Sequence, residues 1–75
     1  MGDEIVVDAR GLLCPLPVLR LARALRNEPK GRVALLAATD PAAVRDVEEF
    51  CRDGACTLLE QRSDGAGHLF RVRKN

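Results

Sequence analysis

Short apolar runs alternate with two stretches of helical periodicity, and this order limits the folds open to the chain. Four runs have the length and composition of β-strands: residues 4–8, 32–38, 55–62 and 68–73. The last two are joined by a turn around SDGAG, which predicts a hairpin. Two helices are predicted between the strands, one over residues 15–27 and one from Asp40-Pro41 to Gly54, with Asp40 as N-cap.

The resulting order, β-α-β-α-β-β, predicts an α+β fold. Strand–helix–strand units turn right-handedly and place their helices on one face of the sheet. We therefore expect a two-layer α/β sandwich, in which two helices cover one face of a four-stranded mixed sheet. The other face is left to solvent or a partner. A length of 75 residues predicts one domain, 1–75.

Each predicted helix has one apolar face that can pack on the sheet. The i, i+3, i+4, i+7 spacing defines these faces, which are Val18, Leu21, Ala22 and Leu25 in the first helix, and Ala43, Val44, Val47, Phe50 and Cys51 in the second. The chain has only two aromatic residues, so Leu, Val and Ala must supply most of the core.

Charge and composition exclude several function classes. A formal net charge of +1 argues against a general nucleic-acid binder. Residues 1–8 do not resemble a signal peptide, and no apolar run approaches the ~18 residues of a membrane span. Three cysteines in a short chain do not predict a disulfide framework. We expect a reduced, cytoplasmic, monomeric protein that binds neither membrane nor nucleic acid directly.

The segment GLLCPLP at residues 11–17 is the main functional clue. With Cys14 as N-cap of the first helix, Pro15 and Pro17 would occupy positions N1 and N3 and offer no N–H group. The Leu16 amide would then be left to bond the Cys14 sulfur. This arrangement predicts a rigid helix tip after the Gly11 turn.

The position of Cys14 at this helix tip also indicates a reactive thiol. The positive end of a helix dipole favours anionic sulfur, and cysteines at such positions have a lowered pKa. Arg10 would lower the Cys14 pKa further if it folds over the site. An accessible thiolate of this kind suits a nucleophile and the persulfide formed on it.

The chain resembles the TusA/SirA-like sulfur carriers from about residue 4 to residue 74. The hallmark of that family, Cys-Pro-x-Pro at the start of the first helix, is present as residues 14–17. Further matches are Asp8, Gly11, Thr39-Asp40-Pro41, Asp46 and Phe50-Cys51. The family fold is the same β-α-β-α-β-β sandwich.

The resemblance implies that Cys14 accepts sulfane sulfur as a persulfide and transfers it to an acceptor protein. Relatives serve tRNA thiolation, molybdenum cofactor synthesis or sulfur oxidation. The implied donor is a cysteine desulfurase or a rhodanese-like protein. The covalent persulfide is the only intermediate, so no cofactor is expected. An alternative role on the same fold is a non-catalytic regulatory module, or one in which Cys14 senses redox state.

The sequence departs from the tRNA-linked carriers beside the cysteine. Those carriers have an arginine before the cysteine and a glutamate between the prolines, where this chain has Leu13 and Leu16. With Leu19 they either form a small apolar docking patch or pack on the loop. Arg20 and Arg23 are either a solvated face or a surface that steers an acidic partner.

The remaining candidate residues have simpler predicted roles. Cys51 is expected to be buried and inert on the second helix. Cys56 begins the third strand and is expected to be partly exposed. The spacing of these cysteines is not typical of zinc, so no metal site is expected. His68 is expected to be an exposed strand residue.

Overall fold

The computed structural model describes residues 4–75 and contains the six predicted elements in the predicted order. The strands are β1 (Ile5–Ala9), β2 (Val33–Ala38), β3 (Cys56–Asp64) and β4 (Gly67–Lys74); the helices are α1 (Leu16–Leu25) and α2 (Ala43–Arg52). The strand order in the sheet is β1-β2-β4-β3. Strands β1 and β2 are parallel and the other two pairings are antiparallel. The predicted α+β sandwich with a mixed sheet is confirmed, although residues 1–3 of the predicted domain lie outside the described residues.

Both helices are shorter than predicted. The first ends at Leu25, two residues before the expected end. The second begins at Ala43, because the residues before it form a tight turn. In this turn the Asp40 carboxylate accepts the Ala42 amide at 3.1 Å and the Asp40 carbonyl accepts the Ala43 amide at 2.9 Å. Asp40 thus bonds the amides that open the turn, but the regular helix starts later. Within residues 4–75, neither helix has the length and apolarity to cross a membrane.

The core lies between the helices and one face of the sheet. Its largest fully buried side chains are Phe70, Leu21, Leu36, Val47 and Val72. Of the predicted inner-face residues, Leu21, Leu25, Ala43 and Val47 are buried. The others, Val18, Ala22, Val44, Phe50 and Cys51, are half-buried. A ten-residue helix has room for a narrow buried stripe, so residues beside that stripe lie at its rim.

The opposite face of the sheet carries charged side chains in pairs. Arg71 on β4 bonds Glu4 and also lies 3.5 Å from Glu60 on β3. Arg62 bonds the same Glu60 carboxylate at 3.0 Å. This face therefore has the polar character of a solvated sheet surface around these ion pairs, and it also exposes the apolar side chains of Val6 and Leu69.

Lys74, the last residue of β4, closes the C-terminal end of α1. Its ammonium donates to the carbonyls of Leu25, Arg26 and Glu28 at 2.7, 3.1 and 2.7 Å. The last carbonyls of a helix have no intrahelical partner and carry the negative end of the dipole. A residue near the chain end thereby stabilises a helix almost 50 residues earlier.

We expect Lys74→Met to lower the free energy of unfolding by about 2 kcal/mol, because three charge-assisted hydrogen bonds are lost. Urea denaturation measures this change. Arg73→Met is the matched control, since Arg73 is exposed on the neighbouring position, and it should change stability by less than about 0.5 kcal/mol. Equal losses in the two variants would contradict a capping role for Lys74.

Candidate functional site

Cys14 is exposed in the loop that joins β1 to α1. It is not the N-cap as predicted: α1 begins at Leu16, Pro15 precedes it, and the Cys14–Pro15 peptide bond is cis. The Leu16 amide donates to the Leu13 carbonyl at 2.8 Å, so it is not the partner of the sulfur. The turn closes on its own backbone before the helix starts, and no side chain caps α1.

Contacts from the start of α2 hold the cysteine loop instead. The Cys14 amide donates to Asp40 Oδ2 at 2.5 Å, and the Gly11 amide donates to Thr39 Oγ1 at 2.9 Å. Gly11 adopts a φ of +83°, a left-handed conformation that favours glycine. Because β1 and β2 are parallel neighbours, their C-terminal ends meet at one edge of the sheet. This pairing brings the loops after the two strands together.

The Asp40 carboxylate is held in its charged form. Hydrogen bonds from the Ala42 and Cys14 amides keep the pKa of Asp40 below its usual value, and the nearby charge of His68 acts in the same direction. His68 is half-buried rather than exposed as predicted, and its Nδ1 lies 2.7 Å from Ser63 Oγ. It reaches this end of the sheet because it pairs with Ala38, which directly precedes Thr39 and Asp40.

Asp46 on α2 is the group that most affects the Cys14 thiol. The side-chain interaction with its carboxylate raises the pKa of Cys14 above the ordinary value. Desolvation and the negative charges of Asp46 and Asp40 add to this increase, and Arg45 opposes it. The Oδ2 atom of Asp46 is buried and has no hydrogen-bond partner among residues 4–75, which leaves acceptor capacity beside the sulfur.

The predicted lowering of the Cys14 pKa is therefore wrong for the free protein. The amides at the start of α1 do not bond the sulfur, whereas α2 and the turn before it place two carboxylates near it. Arg10 does not compensate, because it makes a two-pronged ion pair with Asp8 at 2.9 and 3.0 Å. This pair lowers the pKa of Asp8 to about 2.

Three leucines surround the loop and form a leucine patch, which we define as Leu13, Leu16 and Leu19. Their side chains are 70%, 48% and 56% exposed. Pro17, which sequence analysis placed among the supporting residues, is instead buried below the patch and anchors α1 in the core. The patch provides an apolar surface of the kind used in protein contacts.

A groove of about 580 Å³ between α1 and β1 continues from the leucine patch. Leu16, Leu19 and Val6 line it, together with Arg20 and Arg23. Arg20 also donates to the Asp8 carbonyl at 3.4 Å. The predicted docking residues on α1 thus lie beside one cavity.

Sequence reasoning did not assign a site role to Asp40, Asp46, Thr39 or His68. Thr39, Asp40 and Asp46 are positions at which the sequence matches the family, and this match is the signal that the sequence offers for them. Their proximity to Cys14 depends on α2 and β2 meeting the first loop, and a local sequence pattern does not report such a contact. His68 carried no signal beyond its place on a strand.

The other two cysteines lie away from this loop. Cys51 is half-buried on α2, and Cys56 is fully buried rather than partly exposed as predicted. Cys56 faces the core because β3 starts under the end of α2, on the same sheet face as Val72. Within residues 4–75, no group of three or more His, Cys, Asp or Glu side chains is arranged to hold a metal ion.

The fold and the site define a class of small α+β proteins that expose a cysteine just before a helix. Two prolines follow this cysteine within three residues. Residues 5–74 match the family described as sulfurtransferase TusA. The chain belongs to this family.

Individual relatives cover nearly the whole chain. A "Sulfur carrier protein TusA" from Pseudomonas putida (strain GB-1) is 39% identical over 71 residues, which is 95% of this chain and 89% of the relative. A protein of the same name from Allochromatium vinosum is 36% identical over 69 residues, 92% of this chain and 91% of its own length. A crystal structure of a SirA-like protein from Desulfitobacterium hafniense matches with a TM-score of 0.75 at 21% identity, over 93% of this chain and 95% of the other. That structure supports the fold.

We expect Asp46→Asn to make Cys14 react several-fold faster with iodoacetamide at neutral pH. Removing the carboxylate charge lowers the Cys14 pKa, so the thiolate population rises and the rate–pH curve moves to lower pH. Measuring the alkylation rate across a pH series tests this. Glu48→Gln removes a charge from an exposed position of the same helix and should leave the curve in place. An unchanged curve for Asp46→Asn would contradict the assigned role.

Proposed function

We propose that this protein is a sulfur carrier that accepts sulfane sulfur on Cys14 as a persulfide and transfers it to an acceptor protein. The observation that carries the proposal is the position of Cys14: it is the exposed cysteine of the chain, and it stands at the family's Cys-Pro-x-Pro motif. The names of the relatives support the same role.

Loading begins with removal of the thiol proton. Because the pKa of Cys14 is raised, the sulfur carries its proton near neutral pH, and the Asp46 carboxylate is in place to accept it. The Cys14 sulfur attacks the terminal sulfur of the donor persulfide. A new S–S bond forms, the S–S bond of the donor breaks, and the donor leaves as a thiolate that takes up a proton. Asp46 thus supplies the base that a cysteine protonated near neutral pH requires.

Transfer to the acceptor is a second displacement of the same kind, in which Cys14 is the leaving group instead of the attacking group. An acceptor thiolate attacks the terminal sulfur of the Cys14 persulfide, the bond to Cys14 breaks, and Cys14 is released as a thiolate. The charges of Asp40 and Asp46 disfavour an anion at this position. They therefore favour protonation of the Cys14 thiolate once the transfer has released it.

The surfaces around the loop suit protein partners. The leucine patch offers apolar contact, and Arg20 and Arg23 add positive charge at the adjoining groove. A donor of the cysteine desulfurase or rhodanese-like class, acting in the cytoplasm, fits this chemistry, and so does a thiol-bearing acceptor protein. The acceptor pathways of this family are tRNA thiolation, molybdenum cofactor synthesis and sulfur oxidation. Leu13 and Leu16 make this surface more apolar than in tRNA-linked carriers, which weighs against the tRNA pathway in particular.

A redox-sensing role for Cys14 has less physical support. Sensor cysteines combine exposure with a low pKa, and Cys14 has the first property but not the second. The raised pKa slows indiscriminate oxidation in the free protein and leaves activation of the thiol to the docked complex.

Intact-mass spectrometry tests the carrier proposal directly. The protein is incubated with sodium polysulfide, desalted and measured before and after treatment with a reductant. We expect a mass gain of one sulfur atom that the reductant removes, and peptide mapping should place it on the peptide containing Cys14. No gain, while Cys14 still alkylates readily, would contradict the proposal.

A further inference from the structure

The two cysteines remote from the candidate site lie face to face. Cys51 is in the last turn of α2 and Cys56 is the first residue of β3. Their Sγ atoms are 3.0 Å apart and both thiols are free. A disulfide bond is about 2.05 Å long, so the sulfurs need to approach by only roughly 1 Å more.

Hydrogen bonds hold the turn between Cys51 and Cys56. The Gly54 amide donates to the Cys51 carbonyl at 3.0 Å, which closes the turn after α2. Asn75 then bonds that turn twice, through its side chain to the Gly54 carbonyl at 3.1 Å and through its amide to the Ala55 carbonyl at 3.3 Å. Because the turn between the two cysteines is tied down, the short distance between the sulfurs is a property of the fold.

The two thiols differ in how accessible they are. Cys56 is 1% exposed, whereas Cys51 is half-buried at the protein surface. Burial raises the pKa of Cys56 to about 12, and it raises the pKa of Cys51 less, because the hydrogen bond with Cys56 opposes the desolvation. Cys51 is therefore the thiol that reacts first with a reagent from solution, and the buried Cys56 is the thiol that reacts second, with Cys51.

Cys14 cannot substitute for either member of the pair. It lies near Asp40 and Asp46, toward the N-terminal end of α2, whereas Cys51 is in the last turn of that helix. Five residues of helix separate Asp46 from Cys51, which is about 7.5 Å along the axis. The thiol pair and Cys14 thus lie near different ends of α2.

We propose that Cys51 and Cys56 are a redox-active dithiol that forms an intramolecular disulfide with a small-molecule disulfide as oxidant. The Cys51 thiolate attacks one sulfur of the oxidant, forming a mixed disulfide and releasing one small thiolate. The Cys56 thiolate then attacks the Cys51 sulfur, which forms the Cys51–Cys56 bond and releases the second thiolate. Two protein thiols are oxidised by two electrons, and the small disulfide is reduced to two thiols. This site does not depend on the proposed sulfur carriage at Cys14.

The test uses the Cys14→Ser variant, in which these are the two remaining thiols. One sample of the folded variant and one sample unfolded in concentrated urea are equilibrated in the same glutathione redox buffers. Both are quenched in acid and treated with N-ethylmaleimide, and mass spectrometry then measures the disulfide and dithiol forms. At equal buffer composition, we expect the ratio of disulfide to dithiol to be at least about tenfold higher in the folded variant. A folded ratio equal to or below that of the unfolded chain would overturn the proposal.

Two further variants test the order of the steps. Cys14→Ser combined with Cys56→Ser should stop at a glutathione adduct on Cys51. Cys14→Ser combined with Cys51→Ser should gain no adduct while folded, because Cys56 is buried. Equal adduct formation on both cysteines of the folded protein, or disulfide-linked dimers as the main product, would overturn the assigned roles.

Discussion

The Cys14→Ser variant is expected to gain no sulfur from a polysulfide or persulfide donor and to transfer none to an acceptor thiol. Serine keeps the size of the side chain but replaces the sulfur that forms the S–S bond. Because Cys14 is exposed and its side chain packs no core, the variant should unfold at the same urea concentration as the unmodified protein. Intact mass and urea denaturation of the same preparation separate lost chemistry from lost structure.

Cys51→Ser is the matched control for this experiment, because it removes a thiol from the other end of α2. It should load sulfur on Cys14 at the same rate as the unmodified protein. A sulfur gain that persists in Cys14→Ser and disappears in Cys51→Ser would move the carrier site to the thiol pair. That outcome would contradict the role proposed for the exposed loop.

Phe70→Ala is expected to destabilise the protein by about 3–5 kcal/mol. Phe70 is fully buried at the centre of β4, paired with Leu36 on β2 and Gln61 on β3. It is the largest side chain of a core that otherwise consists mainly of Leu, Val and Ala. A domain of this length has a total stability of roughly 4–11 kcal/mol, so the change removes a large share of it. Urea denaturation followed by circular dichroism measures the loss.

Leu69→Ala is the control on the same strand. Successive strand residues point to opposite faces of a sheet, and Leu69 is 38% exposed on the face without helices. We expect its replacement to cost less than about 1 kcal/mol. Comparable losses for the two variants would mean that the open face of the sheet is buried in solution, in contrast to the fold described above.

The periodicity of the apolar residues is enough to predict most of the fold from the sequence. Apolar residues recur every two residues in a half-buried strand and every three to four residues in a helix. The order of the elements and the buried residues Leu21, Leu25 and Val47 could therefore be predicted. Element ends were less accurate, since they depend on single hydrogen bonds such as those that Asp40 makes in the turn before α2.

The cysteine motif likewise indicated, from the sequence alone, the residue that we propose as the carrier. Cys14 is exposed at the predicted loop, beside two of the predicted apolar neighbours, Leu13 and Leu16. Its electrostatic surroundings could not be predicted in this way. The local sequence shows only Arg10 and the helix that follows the cysteine, whereas the carboxylates that act on the thiol, Asp40 and Asp46, are at least 26 residues away along the chain.

Only the tertiary structure decided the sign of the Cys14 pKa shift and the partners of the remaining polar groups. Parallel pairing of β1 with β2 brings the turn before α2 to the cysteine loop, and packing of α2 places Asp46 at the sulfur. The same packing sets Cys56 against Cys51 and Lys74 against the end of α1. Coulombic and hydrogen-bond interactions act through space over a few ångströms, so they depend on which distant segments meet. The sequence alone determined the elements, their order and the exposed cysteine that we propose as the carrier site, because each of these is encoded among near neighbours in the chain.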